Sequence, residues 1–270
     1  MNILVKNGNF ANVSIGERLL IPTAIAPAVS AFSTLTKAQK LALVNLYHTL
    51  YNAGLWTRLK KLYIPVISPS LALSHVNILT GETDWTPTAQ FSLSSNGLTE
   101  VGDQPSYTGD TIPVSEQSLA DITTFAYISK AIVHSATDAT KETFGLGLSS
   151  RRSRSCMLYG QYQPDINFWL RDSSHNLRQG VTDSSTGDYT LIAGVVDSTP
   201  TSLHLAGFGQ WFDRTTDVSL TFDTIVPYVN QASGKVCLGG YLKISGLMDA
   251  ITQTEYNTLL NAFKTFDAAL

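Results

Sequence analysis

From about Val76 onward the apolar residues of this chain recur at every second position, in short runs cut by turn clusters, and that period decides the fold class. The runs are Gln90–Ser94, Thr123–Lys130, Phe144–Ser149, Cys156–Tyr162, Ile166–Arg171, Tyr189–Val196, Ser202–Ala206, Val218–Phe222 and Lys235–Ile244. Between them lie Ser95-Asn96-Gly97, Gln163-Pro164-Asp165, the polar stretch 183–188 and Ala232-Ser233-Gly234-Lys235. Many short strands at such spacing build a sandwich or barrel, because βαβ units would place a helical run between each pair. Leu191-Ile192-Ala193-Gly194-Val195-Val196 lacks clean alternation, as expected of a central strand covered on both faces.

Helical periodicity is confined to the two ends. Thr36-Lys37-Ala38-Gln39 matches a capping box, in which the Thr hydroxyl serves a free backbone N–H and the Gln reaches back. Leu43, Leu46, Tyr47, Leu50 and Tyr51 then follow at helical spacing, and Gly54 stands where a left-handed residue ends a helix. A second helical turn is expected over Thr57–Tyr63, stopping before Pro65, so that the pair forms a neck against the sandwich. Near the C-terminus Thr252 and Glu255 form another capping box, with Ile251 and Tyr256 placed for a hydrophobic staple. Tyr256, Leu259, Leu260 and Phe263 give that last helix an apolar stripe for docking.

The first thirty residues alternate weakly and break at Gly8, Gly16, Pro22 and Pro27. Pro22–Ser30 is small, apolar and aperiodic, and reads as an extended arm or linker. Apolar side chains without a local partner invite a second chain. The expected organisation is therefore an arm over 1–34 for attachment or oligomerisation, a helical neck over 35–63, and a β-sandwich with a terminal helix over 64–270.

Composition narrows the function. The chain has 270 residues, 43% hydrophobic and 14% charged, with a net charge of −3, which is far from the signature of disorder. A slightly acidic chain without a basic stripe has no general electrostatic reason to bind nucleic acid. Met1-Asn2-Ile3-Leu4-Val5-Lys6-Asn7-Gly8 lacks the basic and apolar regions of a secretory leader, and no apolar run approaches a membrane span. Neither export nor membrane insertion is expected; synthesis and retention in a cytosol are. Cys156 and Cys237 are read as small buried residues rather than a bridge.

Two stretches carry a family resemblance. The segment running from Leu35 through Ala53-Gly54-Leu55-Trp56 to Leu62-Tyr63 resembles the helix–Ala-Gly-x-Trp-x-x-Leu unit of bacteriophage virion proteins. In that group the unit precedes a concanavalin A/laminin G-like jelly roll. The ending, Gly239-Gly240 to Leu247 followed by Thr252 to Phe263, is similar to the way such jelly rolls finish, with a last core strand leading into a capped helix. The resemblance covers roughly 35–270. The family's usual Gly-rich tyrosine segment after the neck is represented only by Pro105-Ser106-Tyr107-Thr108-Gly109-Asp110. What the resemblance implies is a fibre, tail or head-surface component, not catalysis.

The residues themselves offer little chemistry. Among His48, His75, His134, His175 and His204 no pair has metal-ligand spacing with one another or with a cysteine. His204 alternates with Leu203 and Leu205 and so faces the other side of its strand, at the surface or in a groove. There is no nucleophile elbow, P-loop or dinucleotide fingerprint. Glu82, Asp84, Glu100, Asp103 and Asp110 cluster without a spacing that selects a glycosidase pair. Asp183 with Asp188, or Asp165 with Asn167, have the hard oxygens that suit calcium; solvated loop groups are the simpler reading, and no metal or cofactor is assigned.

Two segments have the make-up of binding loops. Gly207-Phe208-Gly209-Gln210-Trp211-Phe212-Asp213-Arg214 mixes aromatics with polar groups, as sugar sites do. Phe208, Gln210, Trp211, Asp213 and Arg214 are the candidate ligand-binding residues; alternatively Trp211 or Phe212 fills the core. Arg151, Arg152 and Arg154 form a solvated turn or a patch for an anionic partner.

The expected function is a non-enzymatic virion structural protein that displays a lectin-like sandwich on a tail fibre, head fibre or capsid surface. Its partners would be other virion proteins through the arm, copies of itself (a homotrimer is favoured), and a host-surface glycan. The alternatives are a receptor-binding lectin proper and a polysaccharide depolymerase.

Overall fold

The computed structural model describes residues 19–84, 91–100, 121–128, 144–151, 154–161, 165–171, 176–182, 190–197, 202–207, 210–215, 227–229 and 241–270. In chain order the strands are β1 (Leu59–Tyr63), β2 (Phe91–Ser94), β3 (Gly97–Glu100), β4 (Ile122–Ile128), β5 (Phe144–Arg151), β6 (Arg154–Gln161), β7 (Asp165–Arg171), β8 (Asn176–Thr182), β9 (Thr190–Val196), β10 (Ser202–Gly207), β11 (Gln210–Thr215), β12 (Pro227–Val229) and β13 (Leu242–Met248). The helices are α1 (Ala26–Ala31), α2 (Lys37–Asn52) and α3 (Gln253–Ala268).

Among the described residues the strands form two antiparallel sheets. One runs β11-β10-β9-β4-β13-β3-β2, with β1 also paired to β13, and the other runs β12-β5-β6-β7-β8. They face each other through contacts of β10 with β7 and β8, β11 with β8, β4 with β5 and β6 with β9. The chain is thus a mainly β, jelly-roll sandwich with helices before it and a C-terminal helix.

The larger sheet is buried on both faces at its centre. Every residue of β4, β9 and β13 is buried, which explains why Leu191–Val196 does not alternate. One face looks toward the second sheet. On the other, Phe125, Tyr127, Leu191, Ala193, Val195, Ile244 and Met248 pack with the helices in one core. The molecule therefore has three layers: small sheet, large sheet, helices.

Local sequence explains how the helical layer is held. Both capping boxes form: Thr36 Oγ1 accepts from Gln39 N at 3.1 Å, and Thr252 Oγ1 from Glu255 N at 3.3 Å. Helix α2 ends in a Schellman motif. Gly54, at φ +72°, donates to Tyr51, and Leu55 donates to Leu50 at 2.8 Å. Leu50 and Leu55, the hydrophobic pair that accompanies this motif, are both fully buried. On α3, Tyr256, Leu259, Ala262, Phe263 and Phe266 are buried, and Phe263 packs on Phe125 and Tyr127. Tyr51, which shares the helical spacing of Leu43, Leu46 and Leu50, is exposed.

Two expectations are corrected. Pro22–Ser30 is not an extended arm. It leads into α1, with Pro27 in the first turn where its missing N–H costs nothing, and Ile25, Ala28 and Phe32 are fully buried in this chain's own core. The second correction concerns Thr57–Tyr63: only Trp56–Arg58 makes a single 3₁₀ turn, and Leu59–Tyr63 is strand β1 on the flank of β13. Five strands (β1, β3, β8, β11 and β12) were not among the period-two runs, while 218–222 and 235–240 lie outside the described residues.

Candidate ligand-binding site

Of the segment 207–214, expected as a loop, Gly207 ends β10 and 210–214 belong to β11, its antiparallel partner at the edge of the larger sheet. Its register places His204 opposite Asp213 and Ala206 opposite Trp211. Directly opposed residues share a face, so His204, Trp211 and Asp213 stand together on the helix-layer side.

There they form a connected patch. His204 Nδ1 lies 2.7 Å from Asp213 Oδ1, and His204 Nε2 lies 2.9 Å from Asp197 Oδ2, just past the end of β9. Ionised carboxylates only accept hydrogen bonds, so a doubly protonated imidazolium satisfies both contacts at once. The Trp211 indole stacks on the imidazole, with centroids 5.2 Å apart and planes at 26°, and its Nε1 donates to Asp213 Oδ1 at 2.7 Å. Hydrogen bonds from His204, then from Trp211, hold the Asp213 carboxyl below its ordinary range.

The patch is anchored on one side and open on the other. Trp211 is half-buried and lies 6.1 Å from Tyr256 of α3. The Tyr256 hydroxyl donates to the Leu191 carbonyl at 2.7 Å, and burial pushes its phenol up. Outward, the Asp213 side chain is 71% exposed and that of Asp197 39%, against 16% for His204. A fixed aromatic edge flanked by exposed carboxylates is the chemistry a sugar meets: ring C–H against the indole, hydroxyls against oxygens.

Of the residues singled out in sequence, Trp211 and Asp213 thus come together. Trp211 is neither loop nor sandwich filler; it packs on the outer rim of the core. Gln210 pairs with Gly207 across the hairpin and is half-buried, and Arg214 occupies the position opposite Leu203. Phe208 and the Arg214 side chain lie outside the described residues. His204 and Asp197 were missed as members of the site. The alternation of Leu203, His204 and Leu205 did set His204 apart from the leucines, but only the hairpin register reveals its partner.

Among the described residues the other candidates do not assemble into a site. Arg151 closes β5 and pairs in register with Arg154 at the start of β6; Arg152 and the side chains of all three are outside the described residues. Asp84 is engaged structurally: Lys61 Nζ lies 2.7 Å and the Tyr63 hydroxyl 2.6 Å from its Oδ2. Burial, then Asp84, raises the Tyr63 phenol. Glu82 is exposed, and the side chain of Glu100 and the whole of Asp103 and Asp110 lie outside the described residues. So do Asp183 and Asp188, and the side chains of Asp165 and Asn167 on β7. Among the described residues, no three His, Cys, Asp or Glu side chains are grouped to hold a metal ion.

No family model matches the chain, and no curated protein matches it in sequence. Solved structures do resemble its fold. The CBM40 of the Ruminococcus gnavus IT-sialidase matches with 12% identity over 56% of this chain and 92% of that one, at a TM-score of 0.43. The NanB sialidase of Streptococcus pneumoniae matches with 17% identity over 58% of this chain and 27% of its own, at 0.40. Trypanosoma rangeli sialidase, solved with sialic acid, reaches 0.50 with 12% identity over 77% of this chain and 34% of its own. The chain thus spans most of the isolated module but about a third or less of the two sialidases. At these identities the likeness concerns fold.

Proposed function

We propose that this chain is a non-enzymatic display protein of a bacteriophage particle, and that its sandwich binds a host-surface glycan at the β10–β11 hairpin. The observation that carries the binding half is the His204–Trp211 stack held between Asp197 and Asp213 on an open sheet edge. A fold of the same kind occurs in the R. gnavus CBM40 solved with α2,3-sialyllactose, which gives such a sandwich a precedent for glycan binding. The particle half rests on the Ala53-Gly54-Leu55-Trp56 neck unit and its resemblance to virion proteins.

In this reading assembly is homotrimeric and places the chain on a fibre, tail or head surface. Residues 22–34 do not support the attachment role given to the arm, since their apolar anchors Ile25, Ala28 and Phe32 are buried within their own chain. The test is a glycan array with the full chain beside Trp211→Ala. Binding to a host-type glycan that Trp211→Ala abolishes supports the reading; silence across the array removes it. Sedimentation of the full chain tests the trimer, and cryo-electron microscopy of particles tests the location.

A further inference from the structure

The hydrogen-bond polarity of the hairpin patch goes one step further, and rests on the glycan-binding reading above. Every N–H of the stack is committed to a carboxylate of the patch itself. His204 uses Nδ1 on Asp213 and Nε2 on Asp197, and Trp211 uses Nε1 on Asp213. What these side chains turn toward solvent is therefore acceptor: the second oxygens of Asp213 and Asp197, on side chains 71% and 39% exposed. Even with His204 charged, one cation stands between two anions.

We infer that this site selects an uncharged sugar face that donates hydroxyl hydrogens, and rejects sugars bearing carboxylate, sulfate or phosphate. An anionic group would meet lone pairs and like charge with no donor from the stack to receive it. A hexose face supplies the complement: hydroxyl donors for the two carboxylates, and C–H surface for the exposed part of the indole. The polarity is fixed by positions 197, 204, 211 and 213, and so is a property of this chain, independent of what its fold neighbours hold.

The test uses the full chain on an array in which each oligosaccharide core is printed plain and again with sialic acid, uronate or sulfate. Titration calorimetry follows on the strongest pair. The expected result is binding to plain cores at least tenfold tighter than to their anionic versions. The paired substitution Asp197→Asn with Asp213→Asn should narrow that ratio at least tenfold, with circular dichroism confirming the fold. Anionic cores bound as well as or better than plain ones would overturn the inference while leaving glycan binding intact. So would a ratio that the paired substitution leaves unchanged. Absence of binding to any core removes the reading beneath it, and the inference with it.

Discussion

Gly246 faces the carbonyl of Lys61 so closely that a Cβ built on it would stand 2.3 Å from that oxygen and 2.6 Å from Phe125 Cζ. The bare backbone of β13 is thus what lets β1 pair at Leu62 while Phe125 packs beneath. Gly246→Ala is expected to destabilise the fold by about 1–3 kcal/mol through overpacking. Urea unfolding followed by far-UV circular dichroism measures it.

The burial of Phe32 makes a sharp contrast with Leu20, which is 82% exposed. Phe32→Ala should cost about 3–5 kcal/mol, the range for deleting a fully buried ring. Leu20→Ser should stay within about 0.5 kcal/mol. Thermal melts of the two variants show where the folded body begins. Equal, small effects would restore the arm.

Thr252→Ala should lower stability by about 1 kcal/mol, as loss of an N-cap does. Its partner Glu255 adds a pH signature. Burial pushes the Glu255 carboxyl up, but the Thr252 backbone N–H, Arg58 and the Thr252 hydroxyl outweigh it, and the net direction is down. A depressed carboxylate contributes stability above its unfolded value, and that contribution is lost as pH falls through the folded one. Urea midpoints measured from pH 7 to pH 3 should therefore fall more steeply in the wild type than in Glu255→Gln.

At the hairpin the same sign holds for Asp213. Its protonation weakens the bonds to His204 and Trp211, so the Trp211 environment should change only below the ordinary carboxylate range. The fluorescence difference between wild type and Trp211→Phe isolates this indole. Acid titration should show the transition, and Asp213→Asn should lack it.

What the sequence conveyed best was chemistry carried by neighbours in the chain. Thr36 with Gln39, Thr252 with Glu255, and Gly54 as the helix stop each depend on a few adjacent residues, and each is where it was expected. Strand β1 was lost because its register shifts between Leu59 and Lys61. That irregularity buries Leu59, Leu62 and Tyr63 together, a spacing that imitates a helix. Across α1 and its two caps the buried Ile25, Ala28 and Phe32 do follow helical spacing, but a helix of six residues with a proline in the first turn carries too short a period to notice. Strand β8 lies at the edge of its sheet, where Asn176–Thr182 need not alternate. Half of the candidate site was legible for a similar reason: Trp211 and Asp213 share one strand. His204 and Asp197 join them only through pairings across β9, β10 and β11.

The pairing of β1 with β13 has a consequence in time. Arg58, which binds both the Ala250 carbonyl and Glu255, meets these partners 192 and 197 positions later in the chain. At ribosomal speeds of roughly 5–20 residues per second, β1 leaves the ribosome about ten to forty seconds before the strand it pairs with. Through that interval the apolar sides of α1, α2 and β1 have neither β13 nor α3 to cover them. Closure is thus a late, long-range event of the kind that slows β-rich folds and leaves nascent chains open to association. A polypeptide interrupted before Leu242 would lose the strand that joins the neck to the sandwich.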